Sequence, residues 1–433
     1  MRKQLDRNKE RREHSGVITP NQFEGSDTQR ILSAINAARG KINKVIIPAW
    51  NANGTNLWSV DSAILLPSNM TVVLDNCTIK LSDKCRDNMF RSDNVGIGIT
   101  KPAWNHNISI IGVGDVNLYG ADNPRATGDS GKTISLTPDE DRKRTKTYGI
   151  SYGTDAGKEG EKQTSDWRNI MILMAYVKGF NLRDVKIHYP HAWSISFERT
   201  WNADISGIRF NNPGTRFING QNRRILNEDG INLRQGCKNF RIDNISGYIE
   251  EDCIAISSLD NGDESKHVHG CLSSTMVTPS KWHGPEDDTE QVFISNIHAG
   301  ITGVSIWASD SAGIHNIYIN GVTTGLPHGI EAPAMRTIGI GTAHYGKISE
   351  PGKVRDVYAM NISGAGKNLI YIDAPVANCY FMNGMLRNGG DIIAYSDRVK
   401  GKTRNVVLNN IINSPEGVTR FDRDWAFFGK NGA

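Results

Sequence analysis

The chain has 433 residues, of which 38% are hydrophobic and 22% are charged. Its 50 basic and 46 acidic residues leave a formal net charge of +4, which is too small an excess to favour nucleic acid as a partner. No run of about 18 apolar residues is present, so the sequence offers no segment for crossing a membrane. The composition is that of a globular protein, and the charge indicates at most a mild preference for anionic ligands.

The chain begins with a charged tail, residues 1–16, and we expect the folded domain to span residues 17–433. Met1 to Ser15 lacks the apolar stretch of a secretory signal. No export signal is visible, which leaves the compartment open between the cytoplasm and export by another route. The cysteines form no CxxC pairs and are expected to be buried free thiols: Cys77, Cys85, Cys237, Cys253, Cys271 and Cys379.

A helix and three strands are predicted to open the domain. Asp27 and Thr28 can cap a helix that ends at Gly40 and would plug one end of the fold. Its apolar residues recur at helical spacing: Ile31, Leu32, Ile35 and Ala38. The strands are expected in residues 44–48, 70–81 and 107–118.

From residue 180 onward a short sequence pattern repeats. It consists of a strand with alternating apolar residues, then Asn, Asp or Gly, and then an apolar residue that is usually Ile or Val. It occurs at Asp184-Val185, Gly207-Ile208, Asn244-Ile245, Asn296-Ile297, Gly321-Val322, Asn361-Ile362, Gly384-Met385 and Asn410-Ile411. Four of the seven intervals measure 23 to 26 residues. A repeat of strands at this period predicts an all-β fold, a single right-handed parallel β-helix.

Stacked coils place equivalent strands about 4.8 Å apart, so Asn side chains can form ladders at the turns. We therefore interpret most of the Asn-X-Ser/Thr triplets as ladder residues rather than glycosylation sites; they begin at Asn53, Asn69, Asn76, Asn107, Asn244 and Asn361. Residues 121–167 and 259–291 are predicted to be long loops that wall a cleft.

Aligning the strands that follow each turn predicts a column of polar side chains. The predicted column contains His191, Asp229, Asp252, Thr302 and His328. Asp229 and Asp252 are 23 residues apart, which is one repeat, so they should lie on adjacent coils and perturb each other's pKa. Each is preceded by a further acid. Acids crowded in this way are typical of sites for acid catalysis, whereas a single Asp at a strand start more often accepts bonds in a turn.

Two of these acidic strings carry a resemblance. Asn227-Glu-Asp-Gly230 resembles the Asn-Thr-Asp-Gly motif of the polygalacturonase-like glycoside hydrolases, family 28, and 250–256 (Glu-Glu-Asp-Cys-Ile-Ala-Ile) is similar to their Gly-Asp-Asp-Cys-Ile-Ala-Ile. The stretches 303–306 and 313–317 also resemble the family, and the likeness covers roughly residues 17 to 415. It implies an enzyme that cleaves glycosidic bonds of a polysaccharide or oligosaccharide.

The resemblance implies that Glu251 is the general acid, while Asp229 and Asp252 position and deprotonate the attacking water. Such inverting hydrolysis needs carboxyls roughly 6.5 to 9.5 Å apart. Because neighbours in a strand point to opposite faces, Glu251 and Asp252 can share a cleft only if one of them lies in a turn. Asn227 and Glu228 are then expected to contact the substrate.

The chain also departs from the family. Thr302 stands where the family has the His of Gly-His-Gly, and neither Glu331-Ala-Pro333 nor Arg336-Thr-Ile338 matches its cationic Arg-Ile-Lys. Plain polygalacturonate is therefore not the expected substrate, because an unpaired carboxylate in a closed subsite is unfavourable. A neutral or otherwise modified glycan is favoured, although the slight basicity keeps an anionic one open.

Further side chains are candidates for substrate binding. Either His191 or His328 could replace the missing His, and the rings of Trp193, Trp307, Trp282 and Tyr345 suit the apolar faces of sugars. Glu331 and Arg336 are included as the nearest match to the cationic motif. His267, His269 and His283 offer no fourth ligand at zinc spacing, so no metal or other cofactor is expected.

Two other functions stay open. A polysaccharide lyase on the same fold would need a basic residue and often calcium, but the predicted column contains no Arg or Lys. A glycan-binding solenoid of the tailspike kind would use the acids only as turn residues, and it could be a trimer. The protein could otherwise be a monomer or another homo-oligomer.

Overall fold

The chain folds as a single right-handed parallel β-helix, as the repeat predicts. This computed structural model describes residues 16–85, 87–122, 132–133, 162–163, 167–218, 221–224, 228–258, 276–278, 283–309, 312–325, 335–341, 348–387 and 390–414. Most of the charged tail and of the two predicted loops lies outside these residues. Within them, no helix is long and apolar enough to span a membrane.

The described residues contain 28 strands, numbered in chain order. They are β1 Lys44–Ile47, β2 Leu57–Val60, β3 Ile64–Leu66, β4 Thr71–Asp75, β5 Thr78–Leu81, β6 Phe90–Ser92, β7 Asn105–Val113, β8 Asn117–Tyr119, β9 Lys132–Thr133, β10 Lys162–Gln163, β11 Ile172–Ala175, β12 Val177–His188, β13 Ile195–Glu198, β14 Trp201–Asn212, β15 Thr215–Ile218, β16 Gln221–Arg224, β17 Ile231–Leu233, β18 Lys238–Ile249, β19 Asp252–Ser258, β20 Thr289–Ala299, β21 Thr302–Ala308, β22 Ile314–Thr324, β23 Arg336–Gly341, β24 Val354–Gly364, β25 Asn368–Asp373, β26 Val376–Leu386, β27 Asp391–Tyr395 and β28 Arg404–Asn413. Short 3-10 helices occur at Pro20–Gln22, Trp167–Asn169, Pro285–Asp287 and Asp397–Val399.

Two large parallel sheets form the walls of the solenoid. The first sheet has 14 strands along the path β1-β4-β7-β12-β14-β18-β20-β22-β24-β26-β28, with β2, β5 and β8 beside it. The second sheet has 10 strands in the order β27-β25-β23-β21-β19-β17-β13-β11-β6-β3. From β12 onward each coil contributes one strand to each sheet, whereas the first three coils contribute two strands to the first sheet. Side chains at equivalent positions form rows along the solenoid axis.

Helix α1, Asp27–Ala38, covers the N-terminal end of the core, as predicted. Its N-cap is Ser26, one residue before the predicted cap. The Ser26 Oγ accepts a bond from Gln29 N while the Gln29 side chain accepts one from Ser26 N, so a capping box fixes the start. The Asp27 carboxylate instead accepts a bond from Ser59 N at 2.8 Å, which joins the cap to β2.

Five of the six Asn residues that begin the triplets, all but Asn53, have positive φ, and three of them form Asn–Asn bonds between coils as the ladder interpretation predicts. Asn244 has φ 55° and Asn361 has φ 56°, a conformation that Asn tolerates better than most residues. Asn361 Nδ2 donates to Asn320 Oδ1 at 2.7 Å, and Asn107 Nδ2 donates to Asn69 Oδ1 at 3.1 Å. Side-chain bonds between coils thus link the turns.

At seven of the eight predicted positions of the repeat, the apolar residue pairs with its equivalents on the neighbouring coils. The residues Val185, Ile208, Ile245, Ile297, Val322, Ile362 and Ile411 align in one row of the first sheet. The eighth is wrong by one residue: Gly384 pairs with Ile362 and Ile411, and Asn383 (φ 54°) takes the left-handed position. Asn383 and Gly384 both suit a left-handed turn, and Asn383 is the residue that adopts it.

The core is an apolar column that runs the length of the solenoid. Its inward rows on the second sheet include Ile195, Ile231, Ile254, Val304 and Ile338. The expected free thiols are confirmed at the five described cysteines, which are buried: Cys77, Cys85, Cys237, Cys253 and Cys379. Burial raises the pKa of the Cys77, Cys237 and Cys379 thiols to about 12, so these thiols are unreactive packing groups.

A second hydrophobic cluster lies on the outward face of the second sheet, and we name it the outer cluster. It consists of Val95, Trp167, Ile170, Leu173, Ala175, Trp193 and Val277. Leu173 and Ala175 alternate with core residues of β11, and the other members come from segments that cross this face. The outer cluster therefore covers the outward face of the coil that contains β11.

Candidate functional site

A row of side chains lies two residues before the inward row of the second sheet, and we name it the polar column. It consists of Trp193, Asp229, Asp252, Thr302 and Arg336. Asp252 pairs with Thr302, and Thr302 pairs with Arg336. Asp252 N donates to Asp229 Oδ1 at 3.2 Å, which joins the two acids on adjacent coils. The structure thus brings together the central part of the predicted column.

The predicted column is wrong at both ends. Ile195 pairs with Ile231 rather than with Leu233, so Trp193 occupies the place expected for His191. At the other end, Arg336 takes the place expected for His328, which lies outside the described residues, as do Asn227 and Glu331. Arg336 also overturns the expectation that the column contains no Arg or Lys.

His191 forms a hydrogen bond within the protein. It is buried, and its Nε2 accepts a bond from Ala121 N at 2.8 Å. The ring therefore fastens the chain where it leaves β8. A role for His191 in holding substrate would require this bond to be exchanged.

Glu251 lies in the bend immediately before β19, whose first residue is Asp252. This arrangement removes the difficulty that strand neighbours face opposite sides. Glu251 is half-buried, and its charge raises the pKa of both Asp229 and Glu228. Three carboxyl groups, those of Asp229, Glu251 and Asp252, therefore interact in one patch.

Asp252 is held by two donors from the adjacent strand β21. Ser305 Oγ donates to its Oδ1 at 2.6 Å, and Trp307 Nε1 donates to its Oδ2 at 2.9 Å. Both donors face outward, because they alternate with the core residues Val304 and Ile306. Two hydrogen bonds to one carboxyl group fix its orientation.

Asp229 is more deeply buried than Asp252, and its pKa is raised. Only 6% of its surface is exposed. Loss of solvation raises its pKa well above the ordinary value, the charges of Asp252 and Glu251 add to this, and the bond from Asp252 N opposes it. The geometry therefore places a carboxyl whose pKa is raised beside one that two side-chain donors hold in position, which is an arrangement that acid–base chemistry uses.

Glu228 is fully buried, and it interacts electrostatically with Glu250 and Glu251. It has no exposed surface, and its Oε2 accepts a bond from Gly214 N at 2.6 Å at the base of the antiparallel pair β15–β16. Burial raises its pKa to about 8, although the positive charge of Arg216 opposes the shift. Glu228 was expected to contact substrate, but in this conformation it supports the β15–β16 segment from within.

Aromatic and polar groups flank the acids on both sides. The Arg336 guanidinium lies 5.0 Å from the centre of the Trp307 ring, and Arg234 lies 4.9 Å from that of Trp193. Thr302 Oγ1 is buried without a hydrogen-bond partner in the part of the chain that the structure describes. A Cβ at Gly339 would overlap the side chain of Arg336, which would have to move.

Several residues of the site were missed by the sequence analysis. Ser305 and Asn232 lie one position after the inward row, at Val304 and Ile231, and Asn232 lowers the raised pKa of Asp229. Counting one position beyond the inward row would have found them. Glu198 and Arg234 could not have been found in this way, because their contacts come from segments far apart in the sequence. Among the described residues, no group of three or more His, Cys, Asp or Glu could hold a metal ion.

Solved structures with the same fold are similar to this chain over most of its length. A tailspike protein mutant of E. coli bacteriophage HK620, solved with a pentasaccharide, has a TM-score of 0.54 and 12% identity and covers 94% of this chain and 68% of its own. An exopolygalacturonase from Thermotoga maritima has a TM-score of 0.51, 11% identity and coverage of 94% of each chain.

A third structure, an endo-xylogalacturonan hydrolase from Aspergillus tubingensis, has a TM-score of 0.51 and 11% identity, with coverage of 94% of this chain and 96% of its own. No protein-family model matches the chain, and no curated protein matches it either. At identities this low the likeness establishes the β-helix fold alone.

Proposed function

We propose that the protein is a glycoside hydrolase that acts on a polysaccharide or oligosaccharide through the acids of the polar column. The observation that carries the proposal is the pairing of Asp229, whose pKa is raised, with Asp252, which two side-chain donors hold in position on the adjacent coil. A solenoid that only bound glycans would not need acids crowded in this way.

In the proposed inverting mechanism, Asp252 takes a proton from the attacking water while Glu251 gives one to the leaving oxygen. Asp229 keeps its own proton and holds the water from the adjacent coil. One proton enters the carboxyls and one leaves them, so the next cycle needs only transfer between Asp252 and Glu251 through solvent.

Arg336 indicates which class of substrate the site could bind. A guanidinium keeps its proton at neutral pH, so Arg336 is suited to binding an anionic group and not to abstracting a proton as a lyase would. Its position over Trp307, whose Nε1 bonds Asp252, supports an acidic or sulfated sugar next to the acids. We therefore retain anionic glycans among the proposed substrates, in place of the preference for neutral ones.

The test is a panel of neutral and acidic polysaccharides, with release of reducing ends as the readout. The variants E251Q and D252N should each lose at least about a hundredfold in activity. D204N, which changes an exposed acid on the outward face of the first sheet, is the matched control and should retain full activity. Activity that survives in both site variants would overturn the proposal.

Stereochemistry is tested separately. NMR of the first product should reveal the anomer opposite to that of the substrate bond. Retention of configuration would exclude the assignment of Asp252 as the base. An absorbance from unsaturated uronate in the products would indicate a lyase instead.

A further inference from the structure

The two ends of the hydrophobic core differ in what covers them. At the N-terminal end, β1 is the last strand of the first sheet, yet its inward residues Val45 and Ile47 have 0% exposed surface because α1 packs against this coil. At the opposite end, β28 and β27 are the last strands of the two sheets. In the part of the chain that the structure describes, no helix or strand follows β28.

The inward rows of the core end on residues that water reaches. On β26, Cys379 and Phe381 have 0% exposed surface. Their partners on β28 are Val406, which is half-buried, and Leu408, which is 41% exposed. Ile393 on β27 is half-buried as well. Apolar surface and the edges of two parallel sheets are therefore open at this end, and folded solenoids cover both.

The sequence that follows β28 contains the apolar side chains that such an end requires. Residues 415–433 lie outside the described residues. Within them, four aromatic residues occur in eight positions: Phe421, Trp425, Phe427 and Phe428. The first, second and fourth of these recur at the spacing of one face of a helix, and charged residues stand between the first two. This is the pattern of an amphipathic segment with one apolar face.

This segment begins at the open end and is long enough to cross it. Ser414 N donates to Leu386 O at 2.8 Å, so residue 415 follows directly from the last coil. Residues 415–420 can extend about 20 Å, and eight helical residues measure about 12 Å. Facing sheets pack about 10 Å apart, so residues 421–428 are long enough to span the core between β27 and β28.

We propose that residues 421–428 cover the open end of the core, with their aromatic side chains packed on Leu408, Val406 and Ile393. Both ends of the solenoid would then be closed by an amphipathic segment of the chain itself. The occupant is this segment rather than a second copy, because a short linker gives it a far higher effective concentration at this end. The inference concerns the fold and does not depend on the proposed hydrolase activity.

The first test is amide hydrogen exchange of the full chain, with the wild type compared with the double variant Phe421→Ser/Trp425→Ser. Loss of the cover should speed exchange in residues 404–413 at least about tenfold, while β12 and β14 keep their protection and so report an intact fold. The matched control is Phe217→Ser/Trp50→Ser, which replaces two rings that are 73% and 59% exposed. It should leave exchange in β28 unchanged. Unchanged exchange of β28 in Phe421→Ser/Trp425→Ser would overturn the proposal.

The second test asks whether another copy of the chain covers the same end. Exchange in residues 404–413 and the sedimentation coefficient of the wild type are measured over a wide range of protein concentration. A cover from the same chain gives protection that does not change with concentration. Protection that arises only as the protein associates would assign the open end to a second copy, and would overturn the proposal.

Discussion

The buried acid Glu228 should make the protein less stable as pH rises through neutrality. Its pKa is raised from the ordinary 4.5 to about 8 because the side chain is fully buried. Between these values the folded protein holds a proton that the unfolded chain has released. Stability from this group is therefore complete at low pH and is lost as pH rises toward 8.

The substitution Glu228→Gln isolates this effect. Glutamine is neutral at every pH and can still accept the bond from Gly214 N. With about 1.4 kcal/mol per pKa unit, Glu228 should lower the free energy of unfolding by about 3 kcal/mol more at pH 8 than at pH 5. Relative to the wild type, Glu228→Gln should become more stable by that amount across the same interval.

The assay is urea unfolding of both proteins at pH 5, 6, 7 and 8. The comparison uses the change with pH rather than the absolute value, because the amide that the substitution introduces is buried and carries its own constant cost. Glu350→Gln alters an exposed acid and should follow the wild type. Parallel curves for the wild type and Glu228→Gln would refute the conclusion that Glu228 holds a proton.

Three further predictions concern the polar column. Trp307→Phe removes the donor to Asp252 but keeps the ring under Arg336, so kcat should fall roughly ten- to a hundredfold with KM for an acidic substrate little changed. The wild-type rate should decline at high pH as Asp229 loses its proton, and Asp229→Asn should abolish that pH limb; a pH–rate profile of both proteins measures it. Gly339→Ala should displace Arg336 and raise KM for acidic oligosaccharides selectively, which paired kinetics on neutral and acidic substrates would detect.

The repeat was predictable because its turn positions and its core positions each require particular types of residue. Left-handed turns need Asn, Asp or Gly, and inward rows need Ile or Val, so sequence alone located the rows that contain Asn244-Ile245 and Asn361-Ile362. The same reasoning aligned Asp229 with Asp252, since one complete coil without an inserted segment separates them. It failed at Gly384 because Asn383 and Gly384 both tolerate the conformation, and packing decided between them.

The ends of the polar column were not predictable, because long segments interrupt the repeat there. The strands β13 and β17 are separated by the β15–β16 pair, and β21 and β23 by the β22 strand and a further segment. An insertion removes the fixed step that counts residues into register. His191 and His328 were therefore chosen by residue type, whereas the pairing of strands selects Trp193 and Arg336.

The two halves of the site also differ in what stabilises them. On the N-terminal side, the buried partners Glu198, Arg199 and Thr278 form a network that leaves little freedom for the backbone. On the other side, Arg336 rests on Trp307, which in turn bonds Asp252, so a substrate group that binds the guanidinium is linked through one ring to the proposed base. A backbone held by buried polar bonds on one side of the acids and a cation that can bind substrate on the other would together fix which bond lies over Asp229 and Asp252.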